Sequence, residues 1–440
     1  MNRISAGHRQ IGMSAGTGAA TRGNSGVQFA KNAAVLLLLS AVWLGGCTST
    51  RGGGHSGQGD HSAFMATGSG SGESIATGIS SGISMPWIAT KNTTRINTAS
   101  PVEAAVLVSR TLWPAQSKAS RPGAVILADP TDWASAAAAA HLIHHPHNGP
   151  VLYVTGESIP SATLQELQRL QPTGVKGSGV QVILTGKLEA GVEQAAEELG
   201  FKTTRVEGGN AAELAAAADA YFIQSAGEIS EGVIIGSSDE EAFTMPAAYW
   251  SAHMPEPLLY VSGDRIPIAT VQALQKRGGK ASIYIIGPEK AVSAKLEEEL
   301  SAYGNVTRIS GKDAYENAIA FAKFKDNSTG FGWGVNEPGR NLTLSNVETP
   351  QLALAGAPFA HLGKHAPLIW TSKNAMPGSV MEYVMSLQTK YEQSPADGPF
   401  NHAWLLGGTA QLTEAAQGEL DAMLEISSAS SASDGGHGGH

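Results

Sequence analysis

Three arginines recur in one local pattern and are the residues best suited to bind an anion. Each follows a threonine and precedes isoleucine or valine, with a glutamate eight residues later and an alanine ten residues later. A guanidinium presents a planar fork of donors that matches phosphate or carboxylate oxygens, so three repeated arginines could converge on an anionic polymer. The arginines are Arg95, Arg205 and Arg308, and the glutamates are Glu103, Glu213 and Glu316.

The same spacing permits a structural interpretation. An arginine at the end of a strand could reach a glutamate in the first turn of the following helix. A carboxylate in that turn also stabilises the helix N-terminus, by ~0.3–1 kcal/mol. Under this interpretation each arginine and its glutamate form a structural pair that fixes the register of one repeat or a contact between repeats.

Four histidines cluster ahead of an apolar run, where imidazoles three or four residues apart on a helix can share a metal ion. Later parts of the chain carry no matching set, because His253 stands alone and His361 and His365 are shifted. We therefore predict surface histidines at the end of a helix, with no metal site and no cofactor. The four are His141, His144, His145 and His147.

One stretch, residues 325–341, has the character of an insertion. It interleaves Phe331 and Trp333 with glycines, so it could form a loop that stacks on carbohydrate. Alternatively, Trp333 fills a gap between modules, which is the interpretation we favour. No nucleophile–base pair or pair of carboxylates stands out in the sequence, and we predict a non-catalytic protein.

A strand–turn–helix unit that appears three times must position these residues. Each copy begins with a run of apolar, β-branched and aromatic residues, which indicates a buried strand, and a proline follows where a helix can begin. The leading prolines are 107 and 110 residues apart, whereas solenoid repeats are only ~20–50 residues long. The copies are GPVLYVTGESIPSATLQEL (149–167), EPLLYVSGDRIPIATVQAL (256–274) and APLIWTSKNAMPGSVMEYV (366–384).

Around these units helices and strands alternate, which implies parallel sheets covered by helices on both faces. We predict an α/β fold of three tandem Rossmann-like modules, each about one period long. Glycines at the ends of the third strands are interpreted as tight turns, because no Gly-x-Gly-x-x-Gly or Walker sequence appears. In the first module we expect helices at 101–112, 132–144, 161–170 and 189–199 and strands at 124–128, 151–154, 180–184 and 202–206.

The first 46 residues have the composition of an export signal. Four basic residues and no acidic one precede Cys47, and Ala33–Leu44 is an apolar run. This run is shorter than the roughly 20 residues of a membrane span and fits a secretory signal. Its removal would leave 25 basic and 38 acidic residues, a net charge of −13 instead of −9. So acidic a protein is not expected to bind nucleic acid.

Cys47, the only cysteine, ends the sequence Leu44-Gly45-Gly46-Cys47, which resembles the lipobox of bacterial lipoproteins. The resemblance implies cleavage before Cys47 and a lipid on its sulfur, which would anchor the exported protein at the outer face of the cell membrane. The alternative is an ordinary secretory signal with a chance cysteine. Residues 47–91 would form a flexible Gly/Ser-rich tether, and residues 425–440 a disordered tail.

The combined pattern resembles the cell wall-binding repeat 2 family. The segment TRISGKDAYENAIAFAKF (307–324), the PLLYVS…IP…L motif and the strands IYIIG and WLLGG carry this resemblance. It implies modules at 92–201, 202–304 and 305–424, arranged with pseudo-threefold symmetry, that attach non-covalently to an anionic secondary polymer of the wall. The chain departs from the family where a second arginine is usual, at Pro101, Ala211 and Ala314.

These features predict a lipid-anchored, non-catalytic protein that binds wall polymer, links membrane and wall, and exists as a monomer. The main alternative is a solute-binding lipoprotein of an import system, which would have two lobes around one cleft. A wall-modifying enzyme is a third possibility and would need a unique catalytic cluster in one module.

Overall fold

Short apolar runs form the strands of three mainly parallel sheets in the computed structural model, which describes residues 85–362 and 364–429. Val125–Ala128 and Val182–Thr185 are buried at every position, as strands covered by helices on both faces should be. The helices Pro101–Leu112 and Ser161–Leu170 have the limits that the sequence predicted. The predicted α/β class with parallel sheets is confirmed.

The chain enters through a β-hairpin and then builds its first sheet. In chain order the elements are β1 (Trp87–Ala89), β2 (Thr93–Ile96), α1 (Pro101–Leu112), β3 (Val125–Ala128), α2 (Trp133–Ala139), β4 (Val151–Tyr153), α3 (Ser161–Leu170), β5 (Val182–Thr185), α4 (Ala190–Glu198) and β6 (Thr203–Val206). The hairpin is β1 and β2. The sheet has the order β4-β3-β5-β6, and all its pairs are parallel.

The second sheet repeats the first. Its elements are α5 (Ala211–Ala226), β7 (Gly232–Ser237), α6 (Glu241–His253), β8 (Leu258–Val261), α7 (Ile268–Gln275), β9 (Ala281–Ile286), α8 (Ala294–Leu300) and β10 (Gly304–Ile309). The strand order β8-β7-β9-β10 is that of the first sheet, and its pairs are again parallel.

The third sheet takes its last strands from the beginning of the chain. The remaining elements are α9 (Ala314–Lys323), β11 (Asn341–Asn346), α10 (Pro350–Ala355), β12 (Leu368–Thr371), α11 (Gly378–Ser386), β13 (Lys390–Tyr391), β14 (His402–Leu406), α12 (Glu414–Met423) and β15 (Ser427–Ser428). The sheet order is β12-β11-β14-β2-β1, so β2 stands where β6 and β10 stand in the other sheets.

This closure changes how the predicted segments map onto the sheets. β2 pairs in parallel with β14, with Thr93 opposite Ala403 and Ile96 opposite Leu406. The module limit predicted at 201/202 therefore lies between the third and fourth strands of the first sheet, and the limit at 304/305 lies inside β10, after its first residue. At the two ends, β1 lies where we expected flexible tether, and β15, paired with β13, lies where we expected disordered tail.

The helices that follow the first strand of each sheet meet at the centre of the fold, where α2, α6 and α10 contact one another. Three aromatic side chains at equivalent positions of the sequence repeat connect the sheets there. Each donates a hydrogen bond to the carbonyl of the second residue of one of these helices. The bonds are Tyr153 Oη to Gln351 O (3.2 Å), Tyr260 Oη to Ala134 O (2.7 Å) and Trp370 Nε1 to Ala242 O (2.8 Å).

The predicted leader and lipidated residue, 1–46 and Cys47, lie outside the described residues, as do most of the tether and the end of the tail. Within the described ranges no helix has both the length and the apolar character needed to cross a membrane.

Candidate functional site

The three repeated arginines lie on the fourth strand of each sheet, at the same register. Arg95 is opposite Leu405, Arg205 is opposite Leu184 and Arg308 is opposite Ile285 on the neighbouring third strand. The three arginines therefore occupy equivalent strand positions, as the sequence repeat predicted, but each lies on a different sheet.

Arg95 is completely buried and is surrounded by neutral acceptors. Its Nε donates to Gln417 Oε1 at 2.8 Å, and its Nη1 and Nη2 donate to the carbonyls of Gly407 at 2.9 Å and Thr413 at 3.3 Å. Burial lowers the pKa of Arg95, and the nearby Glu414 carboxylate offsets part of this effect. The guanidinium is therefore hydrogen-bonded inside the protein.

Arg205 and Arg308 repeat this geometry with a carboxylate in place of the amide. Arg205 Nε donates to Glu193 at 2.6 Å, and this bond raises the pKa of Arg205. Arg308 Nη2 donates to Glu297 at 2.7 Å. All three arginines thus tie a fourth strand to the helix after the third strand.

Glycine turns complete the arginine sites. Gly287 and Gly407 have φ of +134° and +114°, values that favour glycine. Their carbonyls accept hydrogen bonds from Arg308 at 2.8 Å and Arg95 at 2.9 Å. The interpretation of the strand-end glycines as turns is confirmed at these positions.

The predicted pairing of each arginine with the glutamate eight residues later is not what the structure shows. Each glutamate lies in the first turn of α1, α5 or α9, three residues after a capping serine, asparagine or aspartate. Glu103 accepts from Thr98 Oγ1 at 2.6 Å and Glu213 from Gly209 N at 2.8 Å, while Glu316 forms an ion pair with Lys312. The capping-box spacing of Ser100 and Glu103 was the available signal for this role.

The insertion-like stretch forms a braced loop after α9. Phe331 is buried and stacks on Tyr284, with ring centroids 3.6 Å apart and planes at 3°. The Tyr284 hydroxyl donates to Asp326 at 2.8 Å. Hydroxyls of Ser328 and Tyr284 hold the pKa of Asp326 below its usual range. Phe331 is thus a structural anchor of the loop.

Trp333 of the same loop packs at the end of α6. Its ring stacks on His253 at 5.1 Å and 10°, and meets Trp250 edge-on at 5.0 Å. Trp333 is half-buried, and its indole nitrogen has no hydrogen-bond partner among the described residues. Trp333 fills a gap, as favoured from sequence, but it also borders an open cleft.

This cleft, which we call the aromatic–cationic cleft, has a volume of about 490 Å³. It lies between the end of α6, the loop and the chain around Lys364. Its lining includes three cations and no carboxylate. The lining residues are Trp250, His253, Met254, Lys325, Gly330, Gly332, Trp333, Val335, Gly339, Arg340, Asn341, Lys364 and His365.

The three cations of the cleft are held differently. Lys325 Nζ donates to the carbonyls of Gly330 at 2.6 Å and Gly332 at 3.0 Å, so it stabilises the loop. Lys364 Nζ lies 5.0 Å from the centre of the Trp404 ring. Arg340 is exposed, and its guanidinium has no ion pair or hydrogen bond within the described part of the chain. Arg340 and Lys364 are the cleft cations whose side chains make no hydrogen bond or ion pair within the described residues.

The prediction of surface histidines is wrong for His141 and His147, which are buried. Their rings pack on Phe222 and Tyr221, at centroid distances of 4.3 Å and 5.4 Å. Burial lowers the pKa of His147 to about 4. These imidazoles are neutral apolar packing groups, a role that residue type alone could not distinguish from a surface position.

Five further histidines gather where the three sheets meet. His361 Nε2 lies 3.0 Å from Asn148 Oδ1, and its ring contacts His144 and His145. His365 Nδ1 lies 3.3 Å from His253 Nε2. Across residues 85–362 and 364–429, no group of three His, Cys, Asp or Glu side chains is placed to hold a metal ion.

Comparison with known proteins supports part of the family resemblance. The family model described as cell wall binding domain 2 (CWB2) matches residues 308–417. No curated protein matches the chain in sequence. The match extends from Arg308 in β10 to Gln417 in α12, so it includes the insertion and most of the third sheet.

Two solved structures from Clostridium difficile share the fold. Cwp6 is 17% identical with a TM-score of 0.59, and the alignment covers 75% of this chain and 48% of Cwp6. Cwp8 is also 17% identical with a TM-score of 0.59, covering 76% of this chain and 52% of Cwp8. The chain therefore spans about half the length of each of these structures.

Proposed function

We propose that this chain is a non-catalytic protein of the bacterial envelope that binds an anionic polymer of the cell wall. The observation that carries the proposal is the match of residues 308–417 to a cell wall binding domain. The fold shared with Cwp6 and Cwp8 over three quarters of the chain agrees with it.

The binding unit is a ring of three Rossmann-like modules with pseudo-threefold symmetry. Two observations support this arrangement: the three sheets have equivalent strand orders, and equivalent aromatic side chains form a cyclic set of contacts. Tyr153 of the first sheet contacts α10 of the third segment, Tyr260 contacts α2 of the first, and Trp370 contacts α6 of the second. A closed ring also accounts for a monomer, because each module already has both neighbours.

The arginines have a structural role in this proposal. Arg95 is buried, and Arg205 and Arg308 are paired with Glu193 and Glu297. The polymer is therefore bound elsewhere on the ring. The solute-binding alternative called for two lobes around one cleft, whereas the described residues form three major sheets.

The attachment to the membrane is the second half of the proposal. The sequence up to Cys47 supports export and lipidation, and the Gly/Ser-rich sequence after it supports a flexible tether, so that the protein links membrane and wall from the outer face of the membrane. One lipidated end and one polymer-binding end would hold the two layers together.

Co-sedimentation with purified wall sacculi tests the function. The full chain carrying Cys47→Ala, which cannot be lipidated, is mixed in mild detergent with intact sacculi or with sacculi stripped of secondary polymers by mild acid. We expect binding to intact sacculi and little to stripped ones. Failure to bind intact sacculi would contradict the proposal.

A further inference from the structure

We propose that the aromatic–cationic cleft is a subsite for one acidic sugar residue of a glycan, which stacks on Trp333 while its phosphate or carboxylate meets Arg340 and Lys364. This inference rests on the proposed function, because it names the place and the chemistry of polymer recognition. It locates that recognition in the insertion and not at the repeated arginines.

Charge is the first argument. The chain has 38 acidic and 29 basic residues, yet the thirteen residues that line the cleft include two lysines, an arginine and no carboxylate. A positive cleft in an acidic protein concentrates the positive electrostatic potential at one site, which attracts an anion there. Arg340 adds a planar fork of donors suited to a phosphate or a carboxylate.

The ring of Trp333 is the second argument. It is held on one side by His253 and at its edge by Trp250, while part of it lines the cleft. The negative face of an indole attracts the polarised C–H groups of a pyranose ring. A half-buried tryptophan that shares a cleft with the exposed Arg340 and the partly exposed Lys364 offers an apolar face and an anion site to one ligand.

The cleft is also preorganised, so that a ligand need not order it. Lys325 ties the loop to the carbonyls of Gly330 and Gly332, and Phe331 is clamped on Tyr284. Asn401 Oδ1 accepts from the backbone nitrogens of Gly339 at 2.8 Å and Arg340 at 3.0 Å. Because the Arg340 backbone is already fixed, binding a ligand costs less conformational entropy.

The volume agrees with a small piece of polymer. About 490 Å³ falls within the ~300–1,000 Å³ of ordinary small-molecule sites. The cleft therefore has room for one sugar residue, and a polymer would continue along the surface on either side.

Titration of tryptophan fluorescence with soluble polymers tests the inference. The full chain with Cys47→Ala is titrated with phosphomannan, polygalacturonate and neutral dextran, all of which are built of sugar rings. We expect binding to a charged polymer but not to dextran, and the comparison of the first two distinguishes phosphate from carboxylate. Losing a charged hydrogen bond corresponds to about ten- to hundredfold in affinity, which we expect for Arg340→Gln and for Lys364→Gln.

Matched variants control for folding and for general charge effects. Lys276→Gln removes a positive charge at an exposed position of another segment, and affinity should stay within about twofold. Trp333→Ala should abolish binding and Trp333→Phe should retain part of it. Because Trp333→Ala also removes packing, the thermal unfolding of each variant is followed by circular dichroism. Arg340→Gln is the decisive variant, because its side chain is exposed and its loss should not affect folding.

The outcomes separate this inference from the proposed function. If wild type sediments with intact sacculi but Arg340→Gln and Lys364→Gln bind charged polymer and sacculi as tightly as Lys276→Gln, the cleft is not the subsite, while the wall-binding function stands. If wild type binds neither sacculi nor polymer, both fail. Binding to dextran equal to that of the charged polymers would also overturn the assignment of an acidic sugar.

Discussion

Arg95 shows at the scale of one residue why a repeated pattern and a shared role are different things. Its guanidinium is buried among the carbonyls of Gly407 and Thr413 and the amide of Gln417. At the equivalent positions, Glu193 and Glu297 give Arg205 and Arg308 a negative partner. The hydrogen bonds that tie each arginine to the helix after the third strand therefore form both with and without an ion pair. The repeat preserves the position of the arginine, and the charge of its partner varies.

Replacing Arg95 should destabilise the protein more than replacing Arg205. Arg95→Ala leaves several buried acceptors without donors, and we expect a loss of about 2–4 kcal/mol in the free energy of unfolding. Arg205 is part-exposed, so Arg205→Ala should cost only about 1 kcal/mol. Urea denaturation measures both values, with Lys276→Ala as the exposed control. Equal losses for the two arginines would contradict this account.

Buried histidines should make the protein sensitive to acid. Burial lowers the pKa of His361 to about 3 and that of His147 to about 4, while the unfolded chain titrates near 6.5. Below about pH 6.5 the unfolded state therefore binds protons that the folded state does not. The free energy of unfolding falls as the pH is lowered, until these histidines become protonated in the folded state. Each should contribute about 2 kcal/mol of loss between about pH 6.5 and about pH 5.

Urea denaturation at several pH values measures this slope. His361→Gln keeps a polar group near Asn148 but cannot titrate, so its slope should be smaller by about 1.4 kcal/mol per pH unit. Four other histidines surround His361, namely His144, His145, His253 and His365. Burial also lowers the pKa of His144 and His253, so these two add to the wild-type slope. A slope unchanged in His361→Gln would show that this residue is not neutral in the fold.

At the scale of elements, the aromatic contacts hold one segment against the next. The Tyr260 hydroxyl donates to Ala134 O at 2.7 Å in a fully buried position. Tyr260→Phe removes the donor and leaves a buried carbonyl, so we expect a loss of about 1–2 kcal/mol. Tyr391→Phe, whose hydroxyl makes no hydrogen bond within the described residues, is the matched control. Thermal unfolding measures the melting temperature of each variant. Equal melting temperatures would contradict the role of Tyr260 in connecting two segments.

The elements themselves could be predicted because their signals are local. Apolar runs such as Leu258–Val261 and Leu368–Thr371 gave the strands, and prolines at the starts of α3 and α7 gave the helices. The partner of β2 could not be predicted, because pairing Thr93 with Ala403 leaves no local signal. The cleft was missed for a related reason: Trp250, Arg340 and Lys364 are distant in sequence and meet only in the fold.

At the scale of the whole molecule, the beginning and the end of the described chain complete one sheet. β2 lies between β1 and β14, and Arg95 ties it to α12. A chain that begins at residue 98 would lose both strands and expose the edge of β14. We expect its third sheet to open, with a large loss of stability.

Hydrogen exchange can locate this effect. In the shortened chain, amides of β14 and α12 should exchange at least about tenfold faster than in the full chain, while those of β3 and β5 in the first sheet should change much less. Unchanged protection of β14 would contradict the closure of the sheet by β2.

In the proposed function, an acidic protein binds an anionic wall polymer through one positive cleft. The most direct measurement is the fraction of protein bound to intact sacculi, compared among wild type, the double variant Arg340→Gln/Lys364→Gln and the control Lys276→Gln, all carrying Cys47→Ala. We predict that wild type and the control sediment with the wall and that the double variant, still folded by circular dichroism, stays in solution. Equal sedimentation of all three would contradict the role of the cleft, and no sedimentation of wild type would contradict wall binding itself.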